Sequence, residues 1–343
     1  MRHHLNTLFV TTQGAYLAKD GNAVEVKVER ECRLRLPLIN LGGIVCFGQV
    51  SASPALMAMC ASSGVAVTFL TEHGRFLARV SGFTPGNVLL RREQYRRADN
   101  ADGTLAIARN IIAAKIANAR TVLLRATRDY PSASGRTELE TAAGRMGGDI
   151  QRARQSGNLD HARGVEGDSA STYFGVFNEL LTVQRESFQF TARSRRPPLD
   201  PVNALLSFLY AMLGHDGRSA CEASGLDPAV GFLHRDRPGR PGLALDLMEE
   251  LRPILADRLA VSLINRQQVR VDGFRTTDAG GVEMDDATRK VVLTAYQERK
   301  QEVLTHPFLG EKTTLGLVIH LQARLLARHL RGELDAYPPF IWK

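Results

Sequence analysis

The sequence predicts an α+β protein of two domains: a β-rich, β-sandwich-like N-terminal domain and a larger all-α C-terminal domain. Three observations predict this. Up to residue 84 the apolar residues alternate or form short runs between turn residues. From Thr104 onward they recur at helical spacing. Between these regions the stretch 82–87 (Gly, Phe, Thr, Pro, Gly, Asn) is rich in turn residues and marks a boundary. The expected division is a β domain over 1–84, a linker and start of the helical domain over 85–103, and the helical domain over 104–343.

Val24, Val26 and Val28 alternate with charged residues, the period of a half-buried strand, and Asp20-Gly21 just before them is a hairpin turn signal. Apolar runs at 34–36, 44–47, 65–70 and 76–80 read as further strands. One helix interrupts them, opened by Ser53 as cap and Pro54 in the first turn. Helices are expected over 104–128, 138–156, 169–181, 203–214, 244–264, 286–304 and 314–331, with a small hairpin within 269–282.

Lys plus Arg number 44 and Asp plus Glu 36, a formal charge of +8 that suits a polyanionic partner. Most of the cations are arginines, whose planar fork grips phosphate. The four cysteines show no CxxC spacing, which argues against a zinc ribbon or redox motif. Three of them lie in apolar stretches and read as buried small hydrophobes, suited to a reducing compartment. No apolar run is long enough to span a membrane and no signal-peptide core follows Met1, so the expected location is the cytoplasm.

Three segments carry candidate chemistry. In the first, Glu166 stands among glycines in Gly164-Val165-Glu166-Gly167, at what reads as a helix entrance. Taken alone it reads first as an ordinary acid complementing a helix dipole. In the second, His234 ends the apolar run Gly231-Phe232-Leu233 and opens a loop carrying Arg235, Arg237 and Arg240. Imidazole is a common metal ligand and the arginines suit a phosphate chain, but a surface histidine in a solvated basic loop would look the same. In the third, Asp246 and Glu249 are three apart, about 60° around a helix, so they share a face. That face is either a source of oxygen ligands or a solvated acidic surface. Taken together, two carboxylates and an imidazole on separate segments would form an open site for Mg2+ or Mn2+, with arginines to counter phosphate charge.

In order, Glu166-Gly167 with Tyr173-Phe174, then Gly231-Phe232-Leu233-His234, then the run from Leu243 to Pro253 resemble the CRISPR-associated spacer integrase family. The front part adds Arg35-Leu36-Pro37-Leu38, Ile44-Val45-Cys46-Phe47-Gly48, Ser53-Pro54-Ala55-Leu56 and Gly64-Val65-Ala66-Val67; later comes Asp200-Pro201-Val202-Asn203. Tyr337-Pro338-Pro339-Phe340 with Trp342-Lys343 is most similar to the variant found with subtype I-C systems. The resemblance implies that Glu166, His234 and Glu249 are the metal ligands and catalytic residues. Many relatives carry Asp where this chain has Glu249. Asp246 matches an accompanying acid that helps through water or as an alternate ligand, and Asn203 and Arg252 are supporting residues. It further implies an asymmetric homodimer, and a dimer of a small second adaptation subunit flanked by two such homodimers in a hetero-hexamer; the homodimer interface is expected in the β domain. The substrates implied are double-stranded DNA, as spacer precursor and repeat array. The chemistry implied is attack of a 3′-hydroxyl on a phosphodiester. The rival enzyme reading is a metal-dependent nuclease selective for branched or single-stranded DNA in repair. A third is a non-catalytic DNA-binding scaffold, which needs only the arginines.

Overall fold

The computed structural model describes residues 7–72, 76–80, 82, 87–129 and 135–342. Most of the boundary expected at 82–87, and the opening residues on which the signal-peptide reading rests, lie outside the described residues. The chain divides into two compact units, Met1–Gly86 with Val292–Gln301 and Asn87–Val291 with Glu302–Lys343.

In the first unit β1 (Thr7–Val10), β2 (Tyr16–Asp20), β3 (Ala23–Val28), β4 (Glu31–Pro37), β5 (Gly43–Phe47), β6 (Ser51–Ala52), α1 (Pro54–Ser62), β7 (Ala66–Leu70) and β8 (Phe76–Val80) follow in order. They form two four-stranded sheets, β4-β3-β2-β6 and β1-β5-β7-β8. The hairpin at Asp20-Gly21 is present: Asp20 pairs with Ala23, and Gly21 takes φ +56°, which glycine adopts without cost. The Ser53 hydroxyl accepts from the Leu56 N–H at 3.2 Å and so caps α1. Because α1 lies in the connection from β5 to β7, those two strands run parallel. Leu17, Val24 and Val26 from one sheet share a core with Val10, Ile44 and Val67 from the other and with Leu56 and Cys60 of α1. Cys46, Cys60 and Cys221 are buried and Cys32 is exposed, as three apolar settings and one polar one require.

The second unit holds α2 (Val88–Asp99), α3 (Ala101–Asp129), α4 (Arg136–Arg154), α5 (Leu159–Gly175), α6 (Pro201–Ala223), α7 (Gly242–Glu249) and α8 (Arg258–Asn265). The ribbon β9 (Phe274–Thr276) and β10 (Val282–Met284) follows, then the start of α9 (Asp286–Lys300), whose residues from Val292 on belong to the first unit, and after it β11 (Val303–Thr305), β12 (Lys312–Thr314) and α10 (Leu315–Leu330). The long helix α3 packs against α4 and α5. Among the described residues no helix is long and apolar enough to cross a membrane.

The β-rich beginning and helical remainder agree with the expected α+β class. The C-terminal part is not all-α, however, because it contains the ribbons β9–β10 and β11–β12. The second replaces the expected end of a helix at 304: Val303 and Thr305 favour strand, and Gly310 at φ +70° turns the chain back. The stretch 85–103 contains α2, whose charged sequence hid its periodicity. The helix expected from residue 169 begins at Leu159, where the Asn158 side chain accepts from the His161 N–H at 2.8 Å.

Candidate functional site

Glu166 therefore lies two turns inside α5, not at a helix entrance. Neither neighbouring glycine is required by close packing: a methyl group at Gly164 or Gly167 would meet nothing within 4 Å. The two glycines leave the helix surface beside Glu166 open. Its carboxylate Oε1 accepts a short hydrogen bond from the Lys115 ammonium on α3.

Glu249 ends α7 for a covalent reason. Pro253, four residues on, has no N–H to donate to the Glu249 carbonyl, and the chain widens into a π-helical turn over Arg252–Asp257. The Glu249 side chain is 2% exposed and has three cationic or imidazole neighbours. Arg252 Nη1 reaches its Oε1 at 2.6 Å and Oε2 at 2.9 Å. Lys115 Nζ reaches Oε2 at 2.7 Å, and His234 Nε2 stands 3.8 Å from Oε1. Burial by itself would raise this carboxyl, but Arg252, Lys115 and His234 together hold it well below the ordinary carboxylate range. Burial works against the Lys115 ammonium too, and Glu249 and Glu166 more than offset it, so its pKa is raised.

His234 is positioned by Asp246, which is fully buried rather than part of a solvated acidic face. One Asp246 oxygen, Oδ2, accepts from the backbone N–H groups of Phe232 at 2.6 Å and Leu233 at 2.9 Å. The other, Oδ1, accepts from the His234 N–H at 3.0 Å and pairs with His234 Nδ1 at 2.7 Å. The carboxylate is thus saturated by the loop it organises, and the imidazole is left with Nε2 facing Glu249. Both Asp246 oxygens are thereby engaged with the loop and the His234 ring. Gly231 is needed here, since a Cβ would come within 2.6 Å of Asp246 Oδ2. Arg163 also holds the loop, donating from Nη2 to the Leu233 carbonyl at 2.6 Å.

The structure brings Glu166, His234 and Glu249 into one cluster, in which Lys115 joins the two glutamates, His234 stands against Glu249, and Arg252 packs beside them. Asn203 is elsewhere: its side-chain oxygen accepts from Arg193 Nη1 at 2.6 Å and the Ser194 N–H at 3.0 Å, so it clamps the loop before α6. Of the basic loop, Arg235 and Arg237 are exposed and Arg240 is half-buried. Arg235 reaches Asp160 Oδ1 at 3.0 Å. Sequence reading passed over Lys115, although a lysine within Ile111-Ile112-Ala113-Ala114-Lys115-Ile116 is a signal of a paired interior cation. It also missed the cleft beside the cluster, lined by Lys115, Glu166, Tyr173, Arg193, Arg195, Tyr210 and Arg252.

Among the described residues no three carboxylate, imidazole or thiol groups already stand as a metal cluster. The geometry gives the reason: an ammonium lies between Glu166 and Glu249. The donors nonetheless fit Mg2+ or Mn2+ in kind, being carboxylate oxygens and an imidazole Nε2 whose tautomer is fixed by Asp246.

Two acids and an oriented histidine beside an arginine-lined cleft are a donor set of the kind that divalent ions use in phosphodiester chemistry. The model of the family described as CRISPR associated protein Cas1 matches residues 8–298, and the chain belongs to that family. It is 54% identical over 343 residues to the CRISPR-associated endonuclease Cas1 1 of Chlorobaculum tepidum, covering 100% of each chain. With Cas1 2 of Rhodospirillum rubrum it shares 53% identity over 348 residues, again covering 100% of each. A casposase bound to its integration product has the same fold, with TM-score 0.85 at 21% identity over 98% of this chain and 94% of that one.

Proposed function

We propose that this protein is the DNA-joining enzyme of CRISPR spacer acquisition, with Glu166, His234 and Glu249 as catalytic metal ligands and Mg2+ or Mn2+ as the ion. The observation that carries the proposal is the convergence of Glu166, Glu249 and the Asp246-oriented imidazole, from three separate segments, in a chain of the Cas1 family. The reaction is transesterification. A 3′-hydroxyl of the incoming DNA forms a new P–O bond, and the 3′-oxygen of the cleaved repeat strand leaves. With water as the attacking group the same site hydrolyses, giving endonuclease activity.

A bound divalent ion supplies Lewis acidity, easing deprotonation of the hydroxyl and balancing charge on the phosphoryl oxygens. The chain supplies position and charge. Asp246 fixes the His234 tautomer so that Nε2 is free to ligate. Arg252 keeps Glu249 ionised, and Arg193 and Arg195 line the cleft where phosphates would pass. Arg235 and Arg237, exposed on the loop after His234, and the half-buried Arg240 are further cations for DNA phosphates.

In the wider assembly the β-rich part, 1–84, acts as the dimerisation domain and 104–343 as the catalytic domain. Two such homodimers flank one dimer of a small second adaptation subunit in a hetero-hexamer that binds spacer precursor and repeat DNA in the cytoplasm. The sequence from Tyr337 to Trp342 favours a subtype I-C setting.

The test is a strand-transfer assay with labelled duplex ends, a repeat-bearing plasmid and the second subunit. Glu166→Ala, His234→Ala and Glu249→Ala should each abolish metal-dependent joining while sparing DNA binding. Joining at the parental rate in all three would overturn the site. Cleavage without joined product in the parental enzyme would favour a repair nuclease instead.

A further inference from the structure

We propose that Lys115 is a built-in counter-ion: its ammonium holds Glu166 and Glu249 together until a divalent ion binds, and then yields that place. The idea rests on the metal site proposed above.

Lys115 emerges from the apolar stretch of α3, and its side chain is only 15% exposed. An ammonium leaves water at high cost unless anions receive it. The anions here are Glu166 and Glu249, one hydrogen bond to each. Lys115 and Arg252 together match the two carboxylates in charge, so the cluster is balanced without metal. A divalent ion held by both glutamates would leave two surplus positive charges if the ammonium stayed between them. One cation therefore has to leave, and the two differ in how firmly they are held. Arg252 donates to both oxygens of Glu249, and its guanidinium lies 4.3 Å from the centre of the Tyr210 ring. Lys115 has a flexible four-carbon stem and a point charge. It also lines the open cleft with Arg193 and Arg195, where a DNA phosphate could receive the released ammonium. Lys115 is in this sense a positioning residue, one that keeps the carboxylates paired and the site folded before the ion arrives.

The experiment measures binding rather than turnover. Mn2+ is titrated into parental protein, Lys115→Met, Glu166→Ala and Glu249→Ala, and free ion is followed by electron paramagnetic resonance. In parallel, parental protein labelled with 15N-lysine is observed in EDTA and at saturating Mg2+. Lys115→Met should bind Mn2+ about tenfold more tightly than the parent, a typical coupling between competing sites. The protected lysine ammonium signal seen in EDTA should disappear with Mg2+. Equal or weaker Mn2+ binding by Lys115→Met, or an ammonium signal that survives saturating Mg2+, would overturn the exchange, and the second readout needs no variant to fold. If Mn2+ binding is unaffected in Glu166→Ala and Glu249→Ala, the metal site itself falls and the role of Lys115 with it. If binding depends on both glutamates but not on Lys115, only the counter-ion role is lost.

Discussion

Asp246 shows how one buried side chain can set a reactive group without reacting. Its two oxygens accept from three consecutive backbone N–H groups and pair with the His234 ring. Removing it would orphan those donors in a buried loop and free the imidazole to rotate or change tautomer. Losing the partner of buried donors costs about 1–3 kcal/mol. Loss of the carboxylate behind a ligating histidine typically lowers metal affinity about 10- to 100-fold. Asp246→Ala should accordingly lower the urea-unfolding free energy by about 1–3 kcal/mol and weaken Mn2+ binding within that range. Parental affinity in a destabilised variant would show that the imidazole is positioned by something else. This role was half legible in the sequence. The spacing of Asp246 and Glu249 put both on one face, but spacing cannot say that one acid turns toward a loop and the other toward α3. Lys115 was not legible as part of the site, because a sequence gives the side of a helix and not what packs against it.

The π-helical turn Arg252–Asp257 matters because it aims two residues in succession: Arg252 at Glu249, and Asp257 at Tyr210, whose hydroxyl donates at 2.6 Å. Burial pushes the Asp257 carboxyl from 3.8 up to about 6, against the opposing pull of Tyr210, Arg252, Arg193 and Tyr173. A carboxyl with a raised folded-state pKa stabilises the fold below its unfolded pKa, and that stability is lost as pH rises through the folded value. A displacement from 3.8 to about 6 corresponds to about 3 kcal/mol. Asp257→Asn keeps an acceptor for Tyr210 and removes the titration. Relative to the parent it should gain about 3 kcal/mol between pH 3 and pH 8, read from urea unfolding of both proteins at each pH. A difference that stays flat with pH would sink the assignment. The same segment marks a limit of reading periodicity. A single helix over 244–264 satisfies the apolar pattern, and only the missing N–H of Pro253 splits it into α7, a π turn and α8. By contrast the hairpin at Gly21 and the start of α1 at Ser53-Pro54 were legible, because there local chemistry alone decides the backbone.

At the scale of the whole helical unit, the site is fastened from behind by a segment far along the chain. Glu250, next to Glu249, is fully buried and turns the opposite way. Its Oε1 accepts from the Tyr337 hydroxyl at 2.6 Å, and its Oε2 from the Phe340 N–H at 2.7 Å and Gln322 Nε2 at 2.9 Å. Asn118, one turn along α3 from Lys115, accepts from the Trp342 N–H at 2.7 Å and donates to the carbonyls of Phe340 at 2.9 Å and Glu250 at 2.7 Å. The Trp342 ring has the guanidiniums of Arg125 at 3.7 Å and Arg258 at 4.9 Å. Residues 337–342 therefore tie α3, which carries Lys115, to the end of α7, which carries Glu249. Tyr337 is the joint most easily tested, since phenylalanine keeps its shape and removes only the hydroxyl that serves Glu250 and also receives Gln322 at 2.8 Å. Leaving a buried carboxyl short of a donor costs about 1–3 kcal/mol, so Tyr337→Phe should lower the unfolding free energy by that amount in urea titrations. Because Glu250 faces away from the cluster, the variant should still bind Mn2+ like the parent. A loss of Mn2+ binding without loss of stability would mean that Tyr337 acts on the site itself, and the view of this segment as a rear fastening would have to be given up.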